Sequence, residues 1–162
     1  MSVQPTKILG IDPGFARCGY GIIETSNDSL TYIHHGVIET PAGMADEKRL
    51  LSVANEIAKL ITTHSPNVVS IEELFFFKNA KTAMKVAQAR GVILATIARH
   101  KIPITSFTPL QIKQALTGYG RADKNQIQEM VMAALRLGEI PKPDDAADGL
   151  ACAICDARMS QY

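Results

Sequence analysis

Residues Ile8-Leu9-Gly10-Ile11-Asp12-Pro13-Gly14 set the strongest constraint on how this chain can fold. An apolar run with isoleucine at either end reads as a buried strand, and the acid, proline and glycine that stop it spell a tight turn. A carboxylate is thereby held at the exit of a core strand. A rigid scaffold fixes it while it still reaches solvent, which is what a metal ligand or catalytic base requires. Taken alone, Asp12 reads more readily as a residue that only shapes the turn through its own backbone hydrogen bonds. Partners elsewhere in the chain have to decide between the two roles.

The 162 residues are expected to form a single domain, 1–162. A domain of that size buries about 70% of the surface its unfolded chain exposes, so it needs no disulfide staple. The three cysteines (Cys18, Cys152, Cys155) are too few for a disulfide framework. The opening Met-Ser-Val-Gln-Pro-Thr-Lys lacks the plan of a signal peptide, and no apolar run approaches the ~20 residues that span a bilayer. The expectation is a cytoplasmic protein with no membrane partner. The net charge of +1 is an average of opposites. Residues 1–77 carry −4, residues 78–124 carry +8, and residues 125–162 carry −3. The basic middle suits a polyanionic partner, and the acidic flanks could contain a metal site.

After the opening strand, residues 19–25 and 30–38 read as strands joined across Ser26-Asn27-Asp28-Ser29, which gives an antiparallel meander. Leu50, Val53, Ala54, Ile57 and Ile61 then recur at helical spacing, and Pro66 and Asn67 end that helix. Val68-Val69-Ser70-Ile71 is a short buried strand. Because a helix precedes it, a right-handed crossover places it parallel to the first strand. Asn79 can cap a long helix to about Lys101, and Ile104-Thr105-Ser106-Phe107 follows as a fifth strand. Thr108-Pro109 opens another helix. After a loop through Gly118 and Gly120, helices are expected from about Lys124 to Leu137 and from about Asp144 to Met159. The order β-β-β-α-β-α-β-α-α-α predicts an α/β fold, a mixed five-stranded sheet with helices on both faces.

In a parallel pair the ends of the first and fourth strands lie side by side, so Asp12 and Glu72 emerge at one edge of the sheet. In the last helix Asp145 and Asp148 share a face at i and i+3, with Asp144 as the expected N-cap. Each acid has a plainer reading: a turn former, a surface charge, or a complement to the helix dipole. Together they suit a hard divalent cation such as Mg²⁺. Two-metal hydrolysis of a phosphodiester uses several carboxylates to hold ions on both sides of the scissile phosphate. The basic segment would neutralise backbone phosphates around a site too acidic to attract them itself.

Ile8 to Gly14, Ala87-Gln88-Ala89-Arg90-Gly91-Val92 and Asp145-Ala146-Ala147-Asp148-Gly149-Leu150-Ala151, with Ile71-Glu72-Glu73-Leu74-Phe75, closely resemble the RuvC family of Holliday junction resolvases. The likeness runs from about Ile8 to Ile154. It implies an RNase H-like fold, a homodimer, and Mg²⁺-dependent nicking of four-way junction DNA with two ions per site, for which Mn²⁺ can substitute. It also implies cooperation with a branch-migration motor of the RuvA and RuvB type. By the resemblance, the catalytic and metal-binding acids are Asp12, Glu72, Asp145 and Asp148, with Glu73 and Asp144 as neighbours the pattern does not require. Some members carry histidine in place of Asp145. Lys113 and Lys124 match lysines near the family's site, and Phe75 matches an aromatic that contacts junction bases. Here Phe76 and Phe77 follow Phe75, so the ring that reaches DNA is left open.

Exposed aromatics beside a metal site can stack on unpaired bases. Lys78, Lys81 and Lys85 share the start of the next helix, where the amide dipole also favours phosphate. With Arg90, Lys113, Arg121 and Lys124 they make up the expected DNA contacts. Ala80, Ala83, Ala87, Ala89, Gly91, Ala95 and Ala98 make that helix small-sided, and a mid-helix glycine costs about 1 kcal/mol relative to alanine. Close approach of a second helix would explain the choice, and a two-fold dimer would supply the two matched cuts that a junction needs. The C-x-x-C of Cys152 and Cys155 reads as core packing. His34 and His35 alternate across a strand and receive no role. Two other functions remain to be separated by experiment: an RNase H-like nuclease acting on RNA, and a non-catalytic junction-binding module.

Overall fold

The computed structural model describes residues 4–74 and 80–160. Its elements are β1 (Thr6–Asp12), β2 (Arg17–Ser26), β3 (Ser29–Glu39), α1 (Asp46–His64), β4 (Val68–Glu72), α2 (Ala80–Arg99), β5 (Ile104–Phe107), α3 (Pro109–Thr117), α4 (Lys124–Ala134) and α5 (Asp144–Met159). The expected element order is found. The strands form one sheet in the order β3-β2-β1-β4-β5. β1, β2 and β3 run antiparallel, whereas β4 joins β1, and β5 joins β4, in parallel. The β2–β3 turn places Asn27 and Asp28 at φ 49° and 62°. These left-handed values match the twist of a two-residue hairpin.

The period of two along β1 sends alternate side chains to opposite faces. Leu9 and Ile11 join Ile22, Val53, Ile57, Val69, Ile71, Ile93 and Ile97 beneath α1 and α2. Ile8 joins Ile23, Ile112, Leu116, Ile127, Val131, Leu150 and Ile154 beneath α3, α4 and α5. Gly10 lies on the same face as Ile8, and a Cβ there would collide with the Gly149 carbonyl of α5. A glycine at this crossing therefore lets the α5 backbone lie directly on the strand. Asp12, two residues on, faces α5 for the same reason. β4 repeats the arrangement. Ser70 Oγ donates to the Cys152 carbonyl at 3.1 Å, so Glu72 points to the α5 face while Val69 and Ile71 point away.

One expected cap and two expected helix ends move, while α5 keeps its expected span. Pro143, not Asp144, is the N-cap of α5. The amides of Ala146 and Ala147 both reach the Pro143 carbonyl, which leaves the Asp144 carboxylate to pair with Lys124. α4 ends at Ala134, three residues before the expected Leu137, because Arg136 turns to φ 54°. α2 ends at Arg99 rather than Lys101, which is itself left-handed at φ 57°. The capping role expected of Asn79 lies outside the described residues. Cys18, Cys152 and Cys155 are free thiols and buried, as core packing requires. No helix of the described residues is long and apolar enough to cross a membrane.

Candidate active site at the carboxyl edge of the sheet

Asp12 ends β1, Glu72 ends β4, and the first turns of α5 bring Asp145 and Asp148 across them. Ligand oxygens of Asp12, Asp145 and Asp148 lie within 4.8 Å of one another. Glu72 adjoins this cluster: it hydrogen-bonds to Asp12, and both line a cleft of about 320 Å³ with Lys113, Lys124 and Asp148. Its floor and walls are Pro109, Ile112, Ile127 and Ala151. Glu73 instead continues the edge of the strand, its amide donating to the Phe107 carbonyl at 2.8 Å. The alternation along β4 therefore puts Glu72 in the cleft. A larger cavity, about 940 Å³, opens near the β2–β3 turn and the C-terminal ends of α4 and α5, away from the acids.

The cleft holds more negative charge than it can ionise. Burial, followed by the charges of Glu72, Asp148 and Asp145, raises the pKa of Asp12 far above the ordinary carboxylate range. Burial first, and then Asp148, raises Glu72 as well, while Lys113 draws it down. Burial raises Asp148 against the opposing pull of Lys124. Like charges forced together in a low-dielectric cleft hold protons until a stronger cation replaces them. The Lys124 ammonium lies 3.3 Å from Asp144 and 3.8 Å from Asp148. Arg17 Nε donates to Asp145 Oδ2 at 2.8 Å, and its Nη1 pairs with Glu39.

The expected DNA contacts separate into groups. Lys113 and Lys124 line the acidic cleft. Lys81 and Arg121 are exposed, the latter in the loop between α3 and α4. Lys85 is partly occupied, at 3.6 Å from Asp46 and with its ammonium 5.2 Å from the centre of the Phe15 ring. Arg90 Nη2 donates to Ser106 Oγ at 3.4 Å, and its Nε is buried with no hydrogen-bond partner among the described residues. Phe75, Phe76, Phe77 and Lys78 lie outside the described residues. Reasoning from sequence did not find Arg17, which sits in the acidic N-terminal segment 1–77, 128 residues from the carboxylate it holds.

Residues 8–156 match the family of crossover junction endodeoxyribonuclease RuvC. The chain belongs to the RuvC family. The RuvC of Caldicellulosiruptor saccharolyticus is 53% identical over 150 residues, which cover 92% of this chain and 90% of that protein. The RuvC of Roseiflexus sp. is 52% identical, over 93% and 89% of the two chains. Among solved structures, Thermus thermophilus RuvC in complex with a Holliday junction substrate superposes with a TM-score of 0.90 at 30% identity. That match covers 94% of this chain and 93% of that one. The sequence resemblance and the fold class are both borne out, and the acidic cleft lies within the matched span.

Proposed function

We propose that this RuvC-family endodeoxyribonuclease resolves four-way DNA junctions by paired symmetric nicks through two-metal hydrolysis, with Asp12, Glu72, Asp145 and Asp148 as its metal-binding and catalytic residues. The observation that carries the reading is the convergence of Asp12, Asp145 and Asp148 within 4.8 Å, beside Glu72. All four donors are hard carboxylate oxygens, which suits Mg²⁺, with Mn²⁺ as a substitute. Bound metal supplies an activated water and stabilises the leaving 3′ oxygen. The chain's own residues do the rest. Asp12 and Glu72 would present their carboxylate oxygens to the cation from the ends of adjacent strands. The remaining charge is balanced by Lys113 and Lys124, which hold the scissile strand's phosphate in the cleft. Lys81 and Arg121 extend that contact along the backbone, together with Lys85, Arg90 and Lys78, while Phe75 or a neighbouring ring stacks on junction bases.

One site cuts one strand, so matched cuts call for a second copy. The outer face of α2 supports that reading. Met84 is 67% exposed, Ala87, Gly91, Ala95 and Ala98 are exposed, and a Cβ at Gly91 would meet nothing within 4 Å. Ala89, Ile93 and Ile97 are the residues that face the chain's own sheet. We place the homodimer on this small-sided face, the whole chain acting as one nuclease domain. The setting is cytoplasmic, with a RuvA- and RuvB-type motor delivering junctions, and the three free thiols suit a reducing compartment.

The test is cleavage of a mobile synthetic four-way junction with and without Mg²⁺, with product ends mapped on every strand and an RNA duplex run in parallel. Paired, ligatable nicks that require Mg²⁺ are expected. A junction bound but left uncut in Mg²⁺, or faster cleavage of the RNA, would overturn the reading.

A further inference from the structure

Across the carboxyl edge of the sheet the charged residues follow the strand order: Glu39 ends β3, Arg17 opens β2, Asp12 ends β1 and Glu72 ends β4. Lys113 lies beyond Glu72, on the helix that follows β5. The acids thus have cations on two sides. Lys113 and Lys124 occupy one flank, and Arg17 occupies the other. Asp12 pairs with Gly19 across the sheet. Arg17, two residues earlier in β2, therefore projects past the edge on the same face as the acids. It opens onto a second cleft, about 590 Å³, lined by Arg17, Lys142, Pro143, Asp144 and Asp145.

This cleft suits a polyanion only conditionally. Without metal, Asp145 and Glu39 hold the guanidinium, and the acids on the wall repel phosphate. Asp144 is already countered by Lys124 at 3.3 Å. A divalent ion drawing on Asp145 would compete for the charge that holds Arg17. Among the described residues, the Lys142 ammonium forms no ion pair. A guanidinium released from one carboxylate keeps its forked donors for a phosphate.

We propose that Arg17, with Lys142 across the cleft, binds a backbone phosphate flanking the scissile one, on the side away from Lys113 and Lys124, and that Asp145 releases Arg17 for this role when metal binds. The assignment rests on Asp145 being a metal ligand. A nucleic-acid strand crossing an active site carries phosphates both upstream and downstream of the bond that is cut, and Lys113 and Lys124 serve only one direction. Arg17 serves the other, and its pairing with Asp145 makes the second contact conditional on metal.

The test measures junction affinity for wild type, Arg17→Gln and Arg17→Lys in EDTA and in Ca²⁺ over a series of salt concentrations, with the junction checked for integrity after each titration. In Ca²⁺, Arg17→Gln should bind about three- to tenfold more weakly, with a salt slope lower by about one. In EDTA it should match wild type. Arg17→Lys keeps the charge and should recover most of the loss. Equal affinity of Arg17→Gln and wild type in Ca²⁺, or an equal loss in both media, overturns the assignment; the second outcome would mark the residue as a structural tie. If the wild type still nicks in Mg²⁺, either result removes Arg17 alone. A wild type that does not respond to Mg²⁺ removes the metal reading along with it.

Discussion

Replacing Asp12 with Asn should make the metal-free protein more stable while removing its activity. Asp12 is raised from an ordinary 3.8 to about 8 by burial and by the neighbouring acids. A carboxyl group whose folded pKa is raised binds its proton more tightly in the folded chain than in the unfolded one. Stability is therefore lost as pH rises from about 4 towards 8, and the loss levels off above that. At about 1.4 kcal/mol per unit, four units set a ceiling of roughly 5–6 kcal/mol. Proton sharing with Glu72 and entry of water into the cleft reduce the realised penalty to about 1–3 kcal/mol. Asparagine has no charge to desolvate. In EDTA at pH 8, Asp12→Asn should melt about 2–10 °C above wild type, and the gap should narrow at pH 5. Mg²⁺ should reverse the order. At a hundred times its dissociation constant, a ligand stabilises by about 2.7 kcal/mol, which wild type gains and the variant forgoes. Melting curves in EDTA and Mg²⁺ at both pH values measure each term. A variant less stable than wild type in EDTA at pH 8, or stabilised by Mg²⁺ to the same extent, would refute the reasoning.

Glu72→Gln should lower nicking by about 10²-fold or more, while Glu73→Gln stays close to wild type; single-turnover cleavage separates the two adjacent acids. Lys81→Ala should weaken junction binding evenly across sequences and reduce the salt slope by about one, leaving the rate at saturation unchanged. Gly91→Leu should yield folded monomers in sedimentation analysis, because the site is open within one chain and would be filled by the second copy in the proposed dimer. Gly10→Ala should cost about 3 kcal/mol in urea unfolding, because the new methyl group meets the Gly149 carbonyl of α5 and neither backbone can yield.

Local pattern was enough for the elements because each is written in its own residues. Period-two alternation identifies the meander, the three- and four-residue spacing of Val53, Ile57 and Ile61 identifies α1, and the Thr108-Pro109 start of α3 is a complete capping box in which Thr108 and Gln111 bond reciprocally. The crossover rule then sets β4 beside β1, and with it Asp12 beside Glu72. Boundaries were less legible where a backbone choice depends on what lies across from it. Pro143 caps α5 because its carbonyl is free to receive two amides, and the Asp144 carboxylate is drawn to Lys124 instead. Lys85 reads as a free cation on a helix face, yet Asp46 and the Phe15 ring stand within its reach.

The sequence by itself determined the fold class and the family and nominated the four acids, since motif identity and hydrophobic period survive without coordinates. The tertiary structure decided that the acids share one face, that Glu72 rather than Glu73 enters the cleft, and that Arg17 holds Asp145. Those facts depend on the α5 backbone resting against Gly10 and on partners as much as 128 residues apart. No local periodicity encodes such contacts; they exist only after the sheet has formed and the last helix has packed across it.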